Sequence, residues 1–340
     1  MKWQTHELYL RQILASMIGI PLLGKIWYVV PAGSSTSLYE DWVRNDLDIP
    51  AELIHPGNDG LANAYANAEA YRNDVICVFP GAYDLTASLD WTKDNTHLIG
   101  MGGPNTRADY SEKNVVVYTD TAAVDYTIHL TGNHCVFKNI GINNAGANAG
   151  NFAPLYVDGY GNWFENVGLI GNLVSQQLAD PDCASLILGT NAHNCKFISC
   201  DIGEDCWGAR SGANSGQLLI EGSQPNGLLF RDCMFRSRSE TASCAMVATQ
   251  DSGYIGRSWV FERCIFNNFF GTGAKPGTFC NQVFYITDDY YWPILLRDCA
   301  AFGYDRWTDE SQALIYGTMP VADDGGGLGI SLDETVAGGS

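Results

Sequence analysis

Leu228-Leu-Phe-Arg-Asp-Cys-Met-Phe235 is an eight-residue stretch that returns five more times along the chain. The other copies are Cys135-Val-Phe-Lys-Asn-Ile-Gly-Ile142, Asn162-Trp-Phe-Glu-Asn-Val-Gly-Leu169, Cys195-Lys-Phe-Ile-Ser-Cys-Asp-Ile202, Trp259-Val-Phe-Glu-Arg-Cys-Ile-Phe266 and Ile294-Leu-Leu-Arg-Asp-Cys-Ala-Ala301. The third position, held by Phe137, Phe164, Phe197, Phe230, Phe261 and Leu296, recurs at intervals of 27, 33, 33, 31 and 35 residues. A fixed motif at variable spacing points to constant structural units joined by loops of different length. Within each copy, positions 1 and 3 are mostly apolar with period two, and so are positions 6 and 8. The parity changes between 3 and 6, and a straight strand would throw the second pair outward. A bend at position 5, occupied by Asn139, Asn166, Ser199, Asp232, Arg263 and Asp298, returns both pairs to one interior, and Asn, Asp and Ser suit such a corner.

A second β run follows each motif: Pro154–Val157, Ser185–Leu188, Gln217–Ile220, Ala245–Ala248, Val283–Ile286 and Ala313–Tyr316. Each coil thus supplies about three strands. Stacked coils form parallel sheets in which like residues sit above like. Cys200, Cys233, Cys264 and Cys299 are expected to form an internal ladder beside the Phe ladder, as small buried hydrophobes rather than redox or metal groups.

Upstream of the coils, residues 5–18 have the spacing of an amphipathic helix, with Leu10, Ile13, Leu14 and Met17 on one stripe and Trp3 nearby. The stripe must be covered, either by the solenoid's own first coil or by sister copies or another particle protein, which makes these five residues candidates for docking. Residues 26–57 start with a strand-like run and then read as an irregular arm. A short helix over 60–72, capped by Asn58 or Asp59, is placed to plug the end of the solenoid. The expected division is a helix and arm over 1–57, a parallel β-helix over 58–318 and a Gly-rich tail over 319–340.

Nineteen basic against 38 acidic residues, a net charge of −19, would repel a nucleic-acid backbone or an anionic membrane surface. No apolar run approaches the ~18 residues that a membrane span needs. Eleven cysteines without a C-x-x-C pair or zinc-like spacing indicate neither a disulfide framework nor a metal site, and no cofactor is implied. Free thiols and the lack of a recognisable signal peptide point to folding in a reducing cytoplasm.

Val75-Ile-Cys-Val-Phe-Pro-Gly-Ala-Tyr83 and His97-Leu-Ile-Gly-Met-Gly-Gly103, after a capping helix, resemble the opening coils of pectin-lyase-like right-handed parallel β-helix proteins. The resemblance covers about residues 58–318 and implies an all-β solenoid. The family includes lyases, hydrolases, tailspikes and inert fibres, so the fold alone does not assign a function. The Gly-His-Gly and Arg-x-Lys of its polygalacturonases, and the Asp-His and Arg-x-Pro-x-x-Arg of its pectate lyases, are absent.

Two acidic groups remain as candidates: Asp201, Glu204 and Asp205 after a strand, and the loop Asp288, Asp289, Tyr290, Tyr291 and Trp292, which could contact a sugar or a subunit. The six histidines share no spacing and read as structural. On this reading the protein is a non-enzymatic component of a bacteriophage virion, a capsid decoration or head-fibre protein. It would assemble as a homo-oligomer, a trimer favoured, and contact other virion proteins such as the major capsid protein, with host surface polysaccharide as a further expected partner. The alternative is a β-helix that binds or degrades polysaccharide.

Overall fold

The computed structural model describes residues 2–19, 24–31, 42–104, 114–147, 152–204, 208–249, 253–269, 278–286, 292–308 and 315–317. They form a parallel β-helix. Two of the three strands in each coil belong to one sheet that bends around a corner, and the third belongs to a seven-stranded sheet across the core. The motif copies stack in the expected register: Phe137 lies beside Phe164, then Phe197, Phe230, Phe261 and Leu296. The second apolar pair follows suit, with Ile202, Phe235, Phe266 and Ala301 in one row.

The bend at position 5 is a left-handed residue in all six copies, with φ between 52° and 55° at Asn139, Asn166, Ser199, Asp232, Arg263 and Asp298. Asn and Asp tolerate that conformation because their side chains bond locally. The corner side chains also bond up the stack: Asn166 Nδ2 donates to Asn139 Oδ1 at 2.8 Å. Arg263, a poor residue for this conformation, is held by two bonds to the Asp232 carboxylate at 2.6 and 2.8 Å. A second left-handed corner immediately precedes five of the motif copies, at His134, Gly161, Asn194, Gly227 and Ser258, and the upstream strand Thr96–Gly100, at Asn95. Gly100 shows how tightly coils stack, since a Cβ there would lie 1.9 Å from the Asn139 carbonyl oxygen.

The core is an aromatic column. Phe164, Phe197, Phe230 and Phe261 stack nearly parallel, 4.5 to 4.8 Å apart. The column continues upward through Phe137 and Trp91 to Tyr65 of the helix Gly60–Asn67. That helix caps the core with Leu61, Ala64 and Tyr65, and Lys93 donates to the carbonyls of Tyr65, Ala66 and Ala68 at its end. It ends at Asn67 rather than 72 because Ala68 is already extended. The thiols join one coil to the next: Cys233, Cys264 and Cys299 Sγ donate to the carbonyls of Phe197, Phe230 and Phe261 at 3.3 to 3.4 Å. All ten cysteines among the described residues are buried.

The upstream region departs from the expected arm. Ile26–Val30 pairs in parallel with both Ile54–Pro56 and Val75–Val78, so the sheet begins before residue 58. All five residues of that strand are buried. Trp27 and Val29 enter the main core, and Ile26, Tyr28 and Val30 enter a second cluster on the outer face. A continuous apolar run is what a strand covered on both faces requires. The cover is the helix Lys2–Ile18, whose Leu14 and Ile18 are buried in the second cluster while Leu10 and Met17 pack against it. The candidate docking stripe is thus occupied by the chain's own sheet; Ile13 stays exposed, and the Trp3 side chain lies outside the described residues. Lys138 fixes the helix end by donating to the Met17 carbonyl. Asp74, fully buried, accepts from Lys25 N, Trp27 Nε1, Glu69 N and Arg72, tying the first strand to the capping region. At the other end, the last expected member of the second sheet joins the first instead: Ile315–Gly317 pairs with Ile294–Leu296.

Replacing Phe230 with Ala should cost about 3–5 kcal/mol in denaturant unfolding, because it leaves a void in the middle of the column. A cost below about 0.5 kcal/mol would place the ring in solvent. The acid limb of the stability curve should carry His97, which is fully buried and accepts a bond from Val136 N at 3.2 Å. Burial pushes its pKa down from 6.5 to about 4, so the folded state keeps it neutral while the unfolded chain takes up a proton. Its contribution is complete above pH 6.5 and falls as the pH drops toward about 4, by up to about 3 kcal/mol. His97→Gln should flatten that part of the curve, and an unchanged slope would exclude His97 as its source.

Candidate functional site

The seven-stranded sheet alternates strictly. Leu155, Leu186, Leu218 and Val247 face the main core, while the residue after each lies on the opposite face. The register lines up Asp90, His129, Tyr156, Ile187, Leu219, Ala248 and Tyr285 across that outer face. Its middle is a small apolar cluster of Ala153, Ala184, Ile187, Leu219 and Ala248, flanked by Tyr126, Tyr156 and Tyr285.

The accessible chemistry gathers at the end where His129 sits. His129 Nδ1 is 3.4 Å from Asp90 Oδ1, with the histidine about one-third exposed and the aspartate largely so. The imidazole meets the Tyr156 ring edge-on at 5.1 Å, and the Tyr126 and Tyr156 rings lie 4.7 Å apart. Tyr156 leads from this group to two carboxylates. Burial raises its hydroxyl above the usual tyrosine range, and Glu221 and Asp158 push it further up, so it remains a neutral phenol. Asp158 is oriented by Asn191, which donates its backbone N–H at 2.7 Å and its side-chain amide at 3.2 Å. Gly189 makes room for both: a Cβ there would lie 2.6 Å from Asp158 Oδ1 and 2.9 Å from the Tyr156 hydroxyl oxygen.

A histidine beside a carboxylate can serve as a general acid or base, and tyrosine rings can carry the apolar face of a sugar. The group is assembled from five coils, and no local sequence motif marks it. One signal was present: continuing the second β run back one coil from Pro154–Val157 brings Tyr126–Leu130 into line.

The residues singled out by sequence lie elsewhere. Asp201 is on the second strand of the bent sheet, paired with Arg236 at 2.9 Å, and Glu204 is buried and accepts from Gly208 N. Asp205 and Asp288, Asp289, Tyr290 and Tyr291 lie outside the described residues. Trp292 is partly exposed, with the Arg257 guanidinium 5.0 Å above its ring. No group of three metal-ligating side chains occurs among the described residues, and no described helix is long and apolar enough to cross a membrane. A cavity of about 350 Å³ lies under the end of the N-terminal helix. Its Lys138, Glu165 and Trp163 already engage one another, with an ion pair at 2.7 Å and the ammonium 4.6 Å from the ring, so it reads as the seat of that helix.

No protein-family model matches the chain, and neither does any curated protein. Solved structures do. Pectate lyase Pel9A aligns at a TM-score of 0.53 with 14% identity, covering 88% of this chain and 71% of that one. The pectin methylesterase PemA from Erwinia chrysanthemi aligns at 0.44 with 13% identity, covering 89% and 92%. ORF18 of Geobacillus virus E2 aligns at 0.38 with 13% identity, covering 77% and 55%. At 14% identity the likeness to Pel9A shows the pectin-lyase-like parallel β-helix fold alone. The expectation of a non-enzymatic protein is corrected by the same finding, since Pel9A, which shares this fold, is a pectate lyase.

Gly189→Ala should cost about 1–3 kcal/mol by forcing Asp158 and Tyr156 apart. Thermal unfolding checks this, and an unchanged midpoint would show that the Tyr156–Asp158 approach is not packed as described.

Proposed function

We propose that the protein acts on a polysaccharide bound to the outer face of the seven-stranded sheet, with Tyr126 and Tyr156 as the platform and His129–Asp90 as the proton-transfer pair. The observation that carries this reading is the His129–Asp90 contact at 3.4 Å beside two packed, partly exposed tyrosine rings, at the end of a face whose middle is buried. The charge of the face narrows the substrate. Among the described residues the seven strands contain no Lys or Arg, while Asp90, Asp158 and Glu221 lie on or beside them. A polyuronate would meet carboxylates with nothing to pair it, so a neutral polysaccharide fits better than the pectins of the structural neighbours. Neutral sugars lack the acidic proton next to a uronate carboxyl on which elimination depends. Hydrolysis is therefore the reaction assigned, with proton transfer from and to positioned side chains.

A phage particle is retained as the proposed place of action, supported by buried thiols that need no oxidising compartment to form.

Incubation with panels of neutral and acidic polysaccharides should release new reducing ends from a neutral one, without unsaturated products. His129→Gln should lower that rate by about 10²–10⁴-fold. Tyr126→Ala should chiefly weaken binding. Hydrolysis that survives His129→Gln, or activity confined to polyuronates, would contradict the assignment.

A further inference from the structure

The helix Lys2–Ile18 covers the sheet with one face and turns the other to solvent. From Glu7 to Ile18 its exposed residues are Leu8, Tyr9, Gln12, Ile13 and Ser16, and exposed Gly19 follows the helix end. Tyr9, Gln12, Ile13 and Ser16 are spaced i, i+3, i+4 and i+7, which sets them on one stripe. None of these residues is charged. Leu8 is 60%, Tyr9 66% and Ile13 37% exposed, so three large apolar side chains occupy the face that is ordinarily polar. The helix has charges between them, but these are engaged: Arg11 bonds Glu7 Oε1 through Nε at 3.0 Å and Nη2 at 2.7 Å, and its Nη1 donates to the Gly24 carbonyl at 2.6 Å.

The stripe ends at a hole. Ser16 and Gly19 also line the cavity of about 350 Å³ whose other walls include Trp163, Lys138, Asn139 and Glu165. The Lys138–Glu165 pair and the ammonium over the Trp163 ring hold these walls in place. Gly19 ends the helix at φ 76°, a conformation that glycine adopts without strain. A Cβ there would lie 3.9 Å from Trp163 Cζ3, so the glycine leaves that edge of the indole uncovered. The most exposed aromatic of the stripe, Tyr9, stands seven residues before Ser16, about 10 Å along the helix.

We propose that two copies of this chain pair through the outward stripe of this helix, antiparallel about a two-fold axis beside Gln12 and Ile13. That axis sets Tyr9 of each copy against the partner's Ser16, at the mouth of the partner's cavity. A large residue meets a small one twice, which is the self-complementarity that an isologous contact requires. The cavity offers the ring an aromatic wall in Trp163 and the hydroxyl an acceptor in Glu165. Charge selects the same occupant. Two molecules of net charge −19 repel over most of their surfaces, and the uncharged stripe lets them meet without setting carboxylate against carboxylate. A basic partner would find no acidic side chain on the stripe to pair with.

Sedimentation equilibrium of the full chain tests the pairing. One helix from each copy makes a small contact, so the Kd of the dimer should lie at roughly 1–100 μM. It should tighten as salt rises, because screening relieves the repulsion between the copies. Tyr9→Ala should weaken pairing about tenfold. Ser16→Gln, which narrows the mouth of the cavity, should weaken it similarly, and the two changes together should do little more than either alone, since both break one contact. Ile13→Glu sets two carboxylates together at the axis and should leave only monomer. All three positions are exposed, so the melting midpoints should stay unchanged, which separates lost pairing from lost folding. A chain still monomeric at about 100 μM, assembly beyond a pair, pairing that weakens with salt, or effects of Tyr9→Ala and Ser16→Gln that add in full would each overturn the proposal.

Discussion

One geometric constraint organises this molecule: the backbone must turn into the left-handed region at the same two points of successive coils. The corner at Asn139, Asn166, Ser199, Asp232, Arg263 and Asp298 keeps both apolar pairs of each motif pointing inward. Once the corner is fixed, identical positions fall above one another at the spacing of neighbouring strands. Phenylalanine then stacks on phenylalanine at 4.5 to 4.8 Å, and cysteine thiols reach the phenylalanine carbonyls of the preceding coil. Burying each ring contributes roughly 1.5–3 kcal/mol, and offset stacking adds about 0.5–1.5 kcal/mol per pair. A slip of one residue would forfeit the whole column rather than one contact, which is why the register is so strongly specified.

The ends of the stack show the same logic under different constraints. At the start, the column is closed by Tyr65 on a short helix whose carbonyls are satisfied by Lys93. The outer face of the first strands is closed by the N-terminal helix, because Ile26, Tyr28 and Val30 would otherwise expose an apolar patch. Capping and covering are therefore separate tasks, handled by two helices on two surfaces.

The repeat made the coils legible because periodic burial leaves a periodic trace: six motif copies, the corner residue and the buried cysteines could all be read from residue type. Ile26–Val30 reads as a strand from its sequence, but its place in the solenoid's sheet rather than in an arm does not, because it lies outside the repeated motif and pairs with strands far along the chain. The second left-handed corner left only a scattered preference for Asn, Gly, His and Ser. The group around His129 left less still. Asp90, His129, Tyr156 and Glu221 lie on different coils, separated by loops of unequal length, and only strand register brings them together. Asp201, by contrast, stood out as an acidic residue near a strand end, yet its charge is answered by Arg236. Motif periodicity reports the core of a solenoid, whereas its working surface depends on contacts between coils.

If the protein acts as proposed, the face around His129 receives sugar. A crystal structure with a neutral oligosaccharide tests it most directly. The expected result is a sugar ring over Tyr126 and Tyr156, with a glycosidic oxygen within hydrogen-bonding reach of His129. Density for the oligosaccharide only on the bent sheet or in the cavity beneath the N-terminal helix, with the His129 face empty, would contradict it.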